Sequence, residues 1–119
     1  MTAVARIADP PSPAGPAIDV EHLSRMTLGE RSLEREVLAL FDRQADMLLP
    51  RIRRGDPAVA AASAHTLKGS ASGIGAFPVV RAAEAVEQAK DAAFTAAIET
   101  LAAVLAETKA EIARLLQTN

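Results

Sequence analysis

The sequence predicts an all-α protein, an antiparallel up-down four-helix bundle with a short additional N-terminal helix. Three observations point there. Half of the 119 residues are apolar, and three Phe are the only aromatics of the Phe, Trp and Tyr class; Ala and Leu runs mixed with Glu, Arg and Lys suit helices packed through small side chains. Apolar residues recur at helical spacing, and no stretch alternates as a half-buried strand would. Short turn signals separate the periodic segments, and short connections favour antiparallel neighbours.

In chain order, residues 1–17 hold Pro10, Pro11, Pro13 and Pro16 beside Ser12 and Gly15. Such a stretch favours extended backbone and gains little by packing, so a disordered tail is expected. Asp19 suits the N-cap of a short helix that ends near Gly29, a residue suited to left-handed backbone. From Glu30 to Arg54 the residues Leu33, Val37, Leu40, Phe41, Leu48 and Ile52 form a helical stripe. Pro50 interrupts it and is expected to kink the helix or end its regular part about one turn early. Gly55 stops this helix, and Asp56-Pro57 starts the next as N-cap and first helical residue. That third helix carries His65 and should end near Gly73, with Val59, Ser63 and Leu67 on its other face. Ile74 and Phe77 fall in or beside the turn. Pro78 opens a helix to about Lys90, with Val79, Val80, Ala83 and Val86 as core. Asp91 is placed to cap the last helix, whose stripe is Phe94, Ile98, Leu101, Leu105, Ile112 and Leu116.

Composition also excludes functions. A net charge of −2 with so few aromatics argues against nucleic-acid binding, which uses basic faces and stacking platforms. Without cysteine there are no disulfides and no thiolate metal sites. No apolar run approaches the ~20 residues that span a bilayer, and the N-terminus lacks the apolar core of a secretion signal. The expected location is the cytoplasm, with no membrane contact.

The most informative stretch is His65-Thr66-Leu67-Lys68-Gly69-Ser70-Ala71-Ser72-Gly73-Ile74-Gly75. On a helix, Ala61, Lys68, Gly69 and Ser72 share the face of His65. Their side chains are small or absent except for one cation, so the imidazole should stand clear. Metal binding does not suit this spacing: Ala61, Ala62, Lys68 and Gly69 occupy the positions where a helical site needs a second ligand. No Gly-x-Ser-x-Gly elbow or strand scaffold supports a hydrolase triad. A neutral imidazole nitrogen can attack phosphorus, and Lys68 can stabilise the charge that results. Gly69 and Ala61 leave room for a phosphoryl group and a partner's active site. No nucleotide loop or Mg²⁺ carboxylate cluster accompanies them, so the chain should carry a phosphoryl group rather than make one from ATP. From spacing alone, a surface histidine without chemistry stays open beside this reading. His22 reads as a surface residue near a helix start, and Arg51, Arg53 and Arg54 as partners of a helix C-terminal dipole.

The run Ala64-His65-Thr66-Leu67-Lys68-Gly69-Ser70-Ala71, followed by Ile74-Gly75-Ala76, resembles the signature of histidine-containing phosphotransfer (Hpt) domains, carriers of multistep two-component phosphorelays. The resemblance extends to Glu84 and Glu87 and back to Leu38 and Phe41, and it makes residues 18–119 the domain. It implies that His65 is phosphorylated on Nε2, that Lys68 steadies the phosphoryl group and that Gly69 keeps the approach open. Glu87 stands where some members carry glutamine, and a carboxylate there orients the ring or holds Lys68; a solvated helix face is the alternative. Ser72 and Arg81 are further candidates around the site. No cofactor and no metal are expected. The partners implied by the resemblance are receiver domains of response regulators, a hybrid histidine kinase, or both, with docking through exposed apolar residues such as Leu23 and Met26. The helix count suffices for a closed bundle, so a monomer is expected. A helical adaptor that binds a receiver or kinase without relaying phosphate is the competing function.

Overall fold

The computed structural model describes residues 15–117. The expected disorder of the Pro-rich tail falls mostly on residues 1–14, outside the described residues. Five helices follow in order: α1 (Val20–Met26), α2 (Arg31–Arg54), α3 (Pro57–Ile74), α4 (Phe77–Gln88) and α5 (Ala92–Gln117), with no strand among the described residues. Consecutive long helices pack on one another, and α2 also meets α5, so the four close into a bundle. The short α1 lies against α3.

Local chemistry sets the helix starts. The Asp19 side chain accepts the His22 amide at 3.0 Å, and Asp56 accepts the Val59 amide at 2.9 Å. Both carboxylates satisfy donors that a helix N-terminus leaves unpaired. Asp91 precedes α5 with left-handed backbone, φ 56°, and its carbonyl accepts the Phe94 amide at 3.0 Å. The ends of α1, α3 and α4, at Met26, Ile74 and Gln88, lie one to three residues from the expected ones.

Pro50 does not end α2, which continues to Arg54. Proline in a helix interior removes one backbone bond and costs about 3 kcal/mol. Leu48 and Ile52 flank it and are 4% and 0% exposed. Burying two such side chains offsets a loss of that size. The expected α2 stripe is also narrower than the pattern suggested: Phe41, Leu48 and Ile52 are buried, whereas Leu33 and Leu40 are exposed. Val59 is exposed too, against the expectation that it faces inward. Its side chain covers the α2–α3 turn, where a Cβ on Gly55 would come within 2.7 Å of Val59 Cγ1 and 2.6 Å of the Arg51 carbonyl oxygen. Val80 is half-buried at the edge of the core.

The core runs through the middle of the bundle. Ala60, Ala64, Leu67 and Ala71 of α3 meet Phe41 and Ile52 of α2, Val79 and Ala83 of α4, and Leu101 and Leu105 of α5 in one buried cluster. Thr108 is fully buried, and its hydroxyl donates to the Val104 carbonyl at 2.9 Å, so no donor is stranded. On the α2–α5 seam, the Lys109 ammonium lies 2.5 Å from Asp42 Oδ1 and 2.8 Å from Asp46 Oδ1.

The α3–α4 turn sets the register of the two helices that build the site. Gly75 ends α3 in left-handed backbone at φ 79°, and the Ala76 amide reaches back to the Ala71 carbonyl at 2.9 Å. The Gly75 carbonyl accepts the Asp19 amide at 2.9 Å, and a Cβ on Gly75 would lie 2.8 Å from the Asp19 carbonyl oxygen. Gly75→Ala should therefore lose about 2 kcal/mol or more of stability, from left-handed strain and this clash together. Urea unfolding of the variant measures the loss, and an unchanged midpoint would contradict the tight α1–α3–α4 junction.

Candidate functional site

Three helices cover the inner side of α3, so its outward strip is the part left to solvent. His65 lies on that strip with 70% of its side chain exposed. Ala61, Lys68, Gly69 and Ser72 are the accessible or half-accessible positions around it, as their spacing requires. A Cβ on Gly69 would meet nothing within 4 Å. The helix forgoes roughly 0.5–1 kcal/mol relative to alanine there, with no return from its own packing.

The neighbouring α4 supplies the charge. Glu87 Oε1 lies 3.2 Å from His65 Nδ1, and Glu87 Oε2 lies 3.0 Å from Lys68 Nζ. Glu84 Oε2 stands 3.8 Å from the same ammonium. One carboxylate thus bridges the imidazole and the cation. Glu87 Oε2 is buried, and Lys68 neutralises it as an ion pair whose angle falls short of a hydrogen bond. Burial raises the Glu87 pKa, but contacts with Lys68 and His65, and then their charges, outweigh it and hold the carboxyl below its usual range.

This geometry selects a tautomer. An ionised carboxylate only accepts hydrogen bonds, so Nδ1 carries the proton and donates it to Glu87. The lone pair of a neutral ring is then on Nε2. An exposed imidazole with a fixed tautomer and an ammonium alongside is equipped for nucleophilic attack on an anionic electrophile. Among the described residues, no three His, Asp or Glu side chains gather as a metal site would need.

Two other candidates are placed differently from the bonded cluster. Ser72 is exposed, and its carbonyl accepts from His22 Nε2 at 3.0 Å. Arg81 is exposed on α4, almost two turns before Glu87; Glu87 bonds His65, and Lys68 joins Glu87 to Glu84. His22 is half-buried rather than a free surface residue. Its ring meets Phe77 edge-on with centroids 5.1 Å apart, and so fastens α1 to the α3–α4 corner. The sequence carried no local signal for these contacts, since His22 lies fifty residues from Ser72 and 55 from Phe77.

Leu23, expected as an exposed docking residue, is 3% exposed and belongs to the core. Met26 is 58% exposed. It lines an apolar groove with Leu33, Val37, Leu40, Gln44 and Gly73. The groove opens on the α2 side of α3, where Ser70, Gly73 and Ile74 line it roughly 8–14 Å along the helix from His65. Arg53 of the basic α2 end pairs with Glu99 of α5 at 3.0 Å.

The lowered Glu87 pKa makes a stability statement. A carboxyl depressed by folding stabilises the native state above its unfolded value, near 4.5, and loses that contribution as pH falls through the native value. Glu87→Gln should therefore be less stable than wild type at neutral pH. The gap should narrow as pH falls below 4.5, as measured by urea unfolding across pH.

No helix among the described residues is long and apolar enough to cross a membrane. No curated protein and no solved structure gives a significant match. A family model, that of the Hpt domain, matches residues 32–118, which include all of α3, α4 and α5 and nearly all of α2. Members are phosphoryl carriers in phosphorelays rather than kinases. With its all-α bundle and a match over most of its length, this chain belongs to the Hpt domain family.

Proposed function

We propose that this protein accepts a phosphoryl group on His65 from the phospho-aspartate of one receiver domain and passes it to another. The observation that carries this reading is the pairing of an exposed His65 with a Glu87 carboxylate on its Nδ1. The Nε2 lone pair forms the N–P bond as the P–O bond to the receiver aspartate breaks, and the carboxylate leaves with that electron pair. Lys68 stands beside the ring to offset the incoming charge, and Gly69 leaves clearance for the receiver. Most of the catalytic apparatus belongs to the receiver.

The groove of Met26, Leu33, Val37, Leu40, Gln44 and Gly73 is the proposed receiver-docking surface. Leu40 and Met26 are more than half exposed on it, and apolar side chains left in water beside a reactive centre favour a transient protein partner. The receivers belong to response regulators, a hybrid histidine kinase, or both. The carrier acts as a monomer in the cytoplasm.

Phosphoramidate, a small phosphoryl donor, should add one acid-labile phosphoryl group to wild type and none to His65→Gln, read by intact mass. No adduct on folded wild type would overturn the carrier reading, and receiver binding without labelling would replace it with the adaptor. Leu40→Asp should keep its phosphoramidate labelling and lose about tenfold or more in transfer from a phosphorylated receiver. Unchanged transfer would remove the groove from the docking surface.

A further inference from the structure

Glu87 does more in this geometry than choose the nucleophilic nitrogen. We infer that its carboxylate keeps Nδ1 protonated after Nε2 has been phosphorylated, so that the ring departs as a neutral imidazole when the phosphoryl group moves on. The inference rests on the proposed carrier function and concerns the release half of the cycle.

Attack by neutral imidazole leaves a phosphoimidazolium, with phosphorus on Nε2 and the original proton on Nδ1. That cation is the labile form. When the N–P bond breaks, its electron pair returns to Nε2, Nδ1 keeps its proton, and the phosphoryl group passes to a receiver carboxylate or to water. If Nδ1 lost its proton first, the leaving group would be an imidazolate, which departs far more slowly. Whatever holds the Nδ1 proton therefore sets how readily the carrier gives up its load.

The charged groups linked to the ring come from two helices. From α4 come Glu87, with Oε1 3.2 Å from Nδ1, and Glu84, which reaches Lys68 at 3.8 Å. From α3 itself comes Lys68, 3.0 Å from Glu87 Oε2. A carboxylate against Nδ1–H favours the cationic ring. The ammonium on the other oxygen lowers the carboxylate's own proton affinity, so the shared proton stays on the ring. Burial of Oε2 strengthens this division, because little water competes for the carboxylate. Glu87 is thus a positioning residue with an electrostatic second task. A glutamine would still accept from Nδ1–H but would bring no charge, so the two tasks can be separated.

The test labels the full chain with phosphoramidate and follows decay of the phosphohistidine by intact mass from mildly acid to alkaline pH. Wild type and Glu87→Gln should decay alike at acid pH, where both rings are protonated. The fall in rate with rising pH should come about one unit earlier in Glu87→Gln, giving roughly tenfold slower decay on the alkaline side. Glu111→Gln, which changes a carboxylate paired with Arg114 on α5 and outside this cluster, should follow wild type. Superimposable profiles for wild type and Glu87→Gln would overturn the inference while leaving the carrier reading intact. A uniform change at every pH would do the same, since it would mark a purely structural role. Failure of wild type to take up a phosphoryl group would overturn both. Labelled wild type unfolded in urea is a second comparison, independent of whether the variant folds: its rate should fall at lower pH than that of the folded protein, and coincident profiles would again reject the inference.

Discussion

Everything at the site depends on how closely other helices approach α3. Its inner face presents Ala60, Ala64, Leu67 and Ala71, each 0% exposed. Alanines leave little between two helix backbones, and interaxial distance follows the side chains at the contact. With α1, α2 and α4 all packed on α3, one outward strip remains, and His65 occupies it. The same close packing lets a glutamate side chain of α4 span to both His65 and Lys68. A larger residue in place of an inner alanine would act on the site without touching it, by moving α4 away.

The molecule contains a second cluster of similar chemistry, and the contrast is instructive. Lys109 of α5 sits between Asp42 and Asp46 of α2 as Lys68 sits between Glu84 and Glu87. Burial lowers the Lys109 pKa, but its two aspartate contacts outweigh this and raise it. That cluster links two helices. At Lys68 the inner carboxylate has its other oxygen on an exposed imidazole. Lysine held between acids is thus ordinary helix fastening in this bundle, and at Lys68 the same fastening also reaches an exposed ring. Partial exposure of these pairs limits what either adds to stability.

Legibility from sequence followed the range of the forces involved. Caps and helix starts at Asp19 and Asp56-Pro57 were readable because a side chain and an amide three residues on decide them. The outward face of α3 was readable because helix periodicity alone fixes it. The continuation of α2 past Pro50 is not legible locally, because the proline's cost is local and its compensation, burial of Leu48 and Ile52, is tertiary. Leu23 and Val59 exchanged their expected environments for similar reasons: α1 lies flat enough on α3 to bury one, and the Gly55 turn draws the other outward. Glu87 could be marked but not resolved, since a solvated helix face and a ring partner share the same periodicity. The choice depends on the register of α3 against α4, which the Gly75 turn sets.

Features that contribute least to folding are concentrated on one side. Gly69 and Gly73 of α3 have open space where a Cβ would stand, and each costs helix stability relative to alanine. Met26, Leu33 and Leu40 leave apolar surface in water beside them. Folding alone would favour alanine at the glycines and polar residues on that face of α2. The core does not require these choices, because Phe41, Leu48 and Ile52 already fill the α2 side of the bundle. Sequence optimised only for stability would not gather bare backbone, exposed apolar side chains and an upright imidazole on adjacent surfaces. Contact with a second protein that must approach the backbone of α3 closely accounts for all three at once.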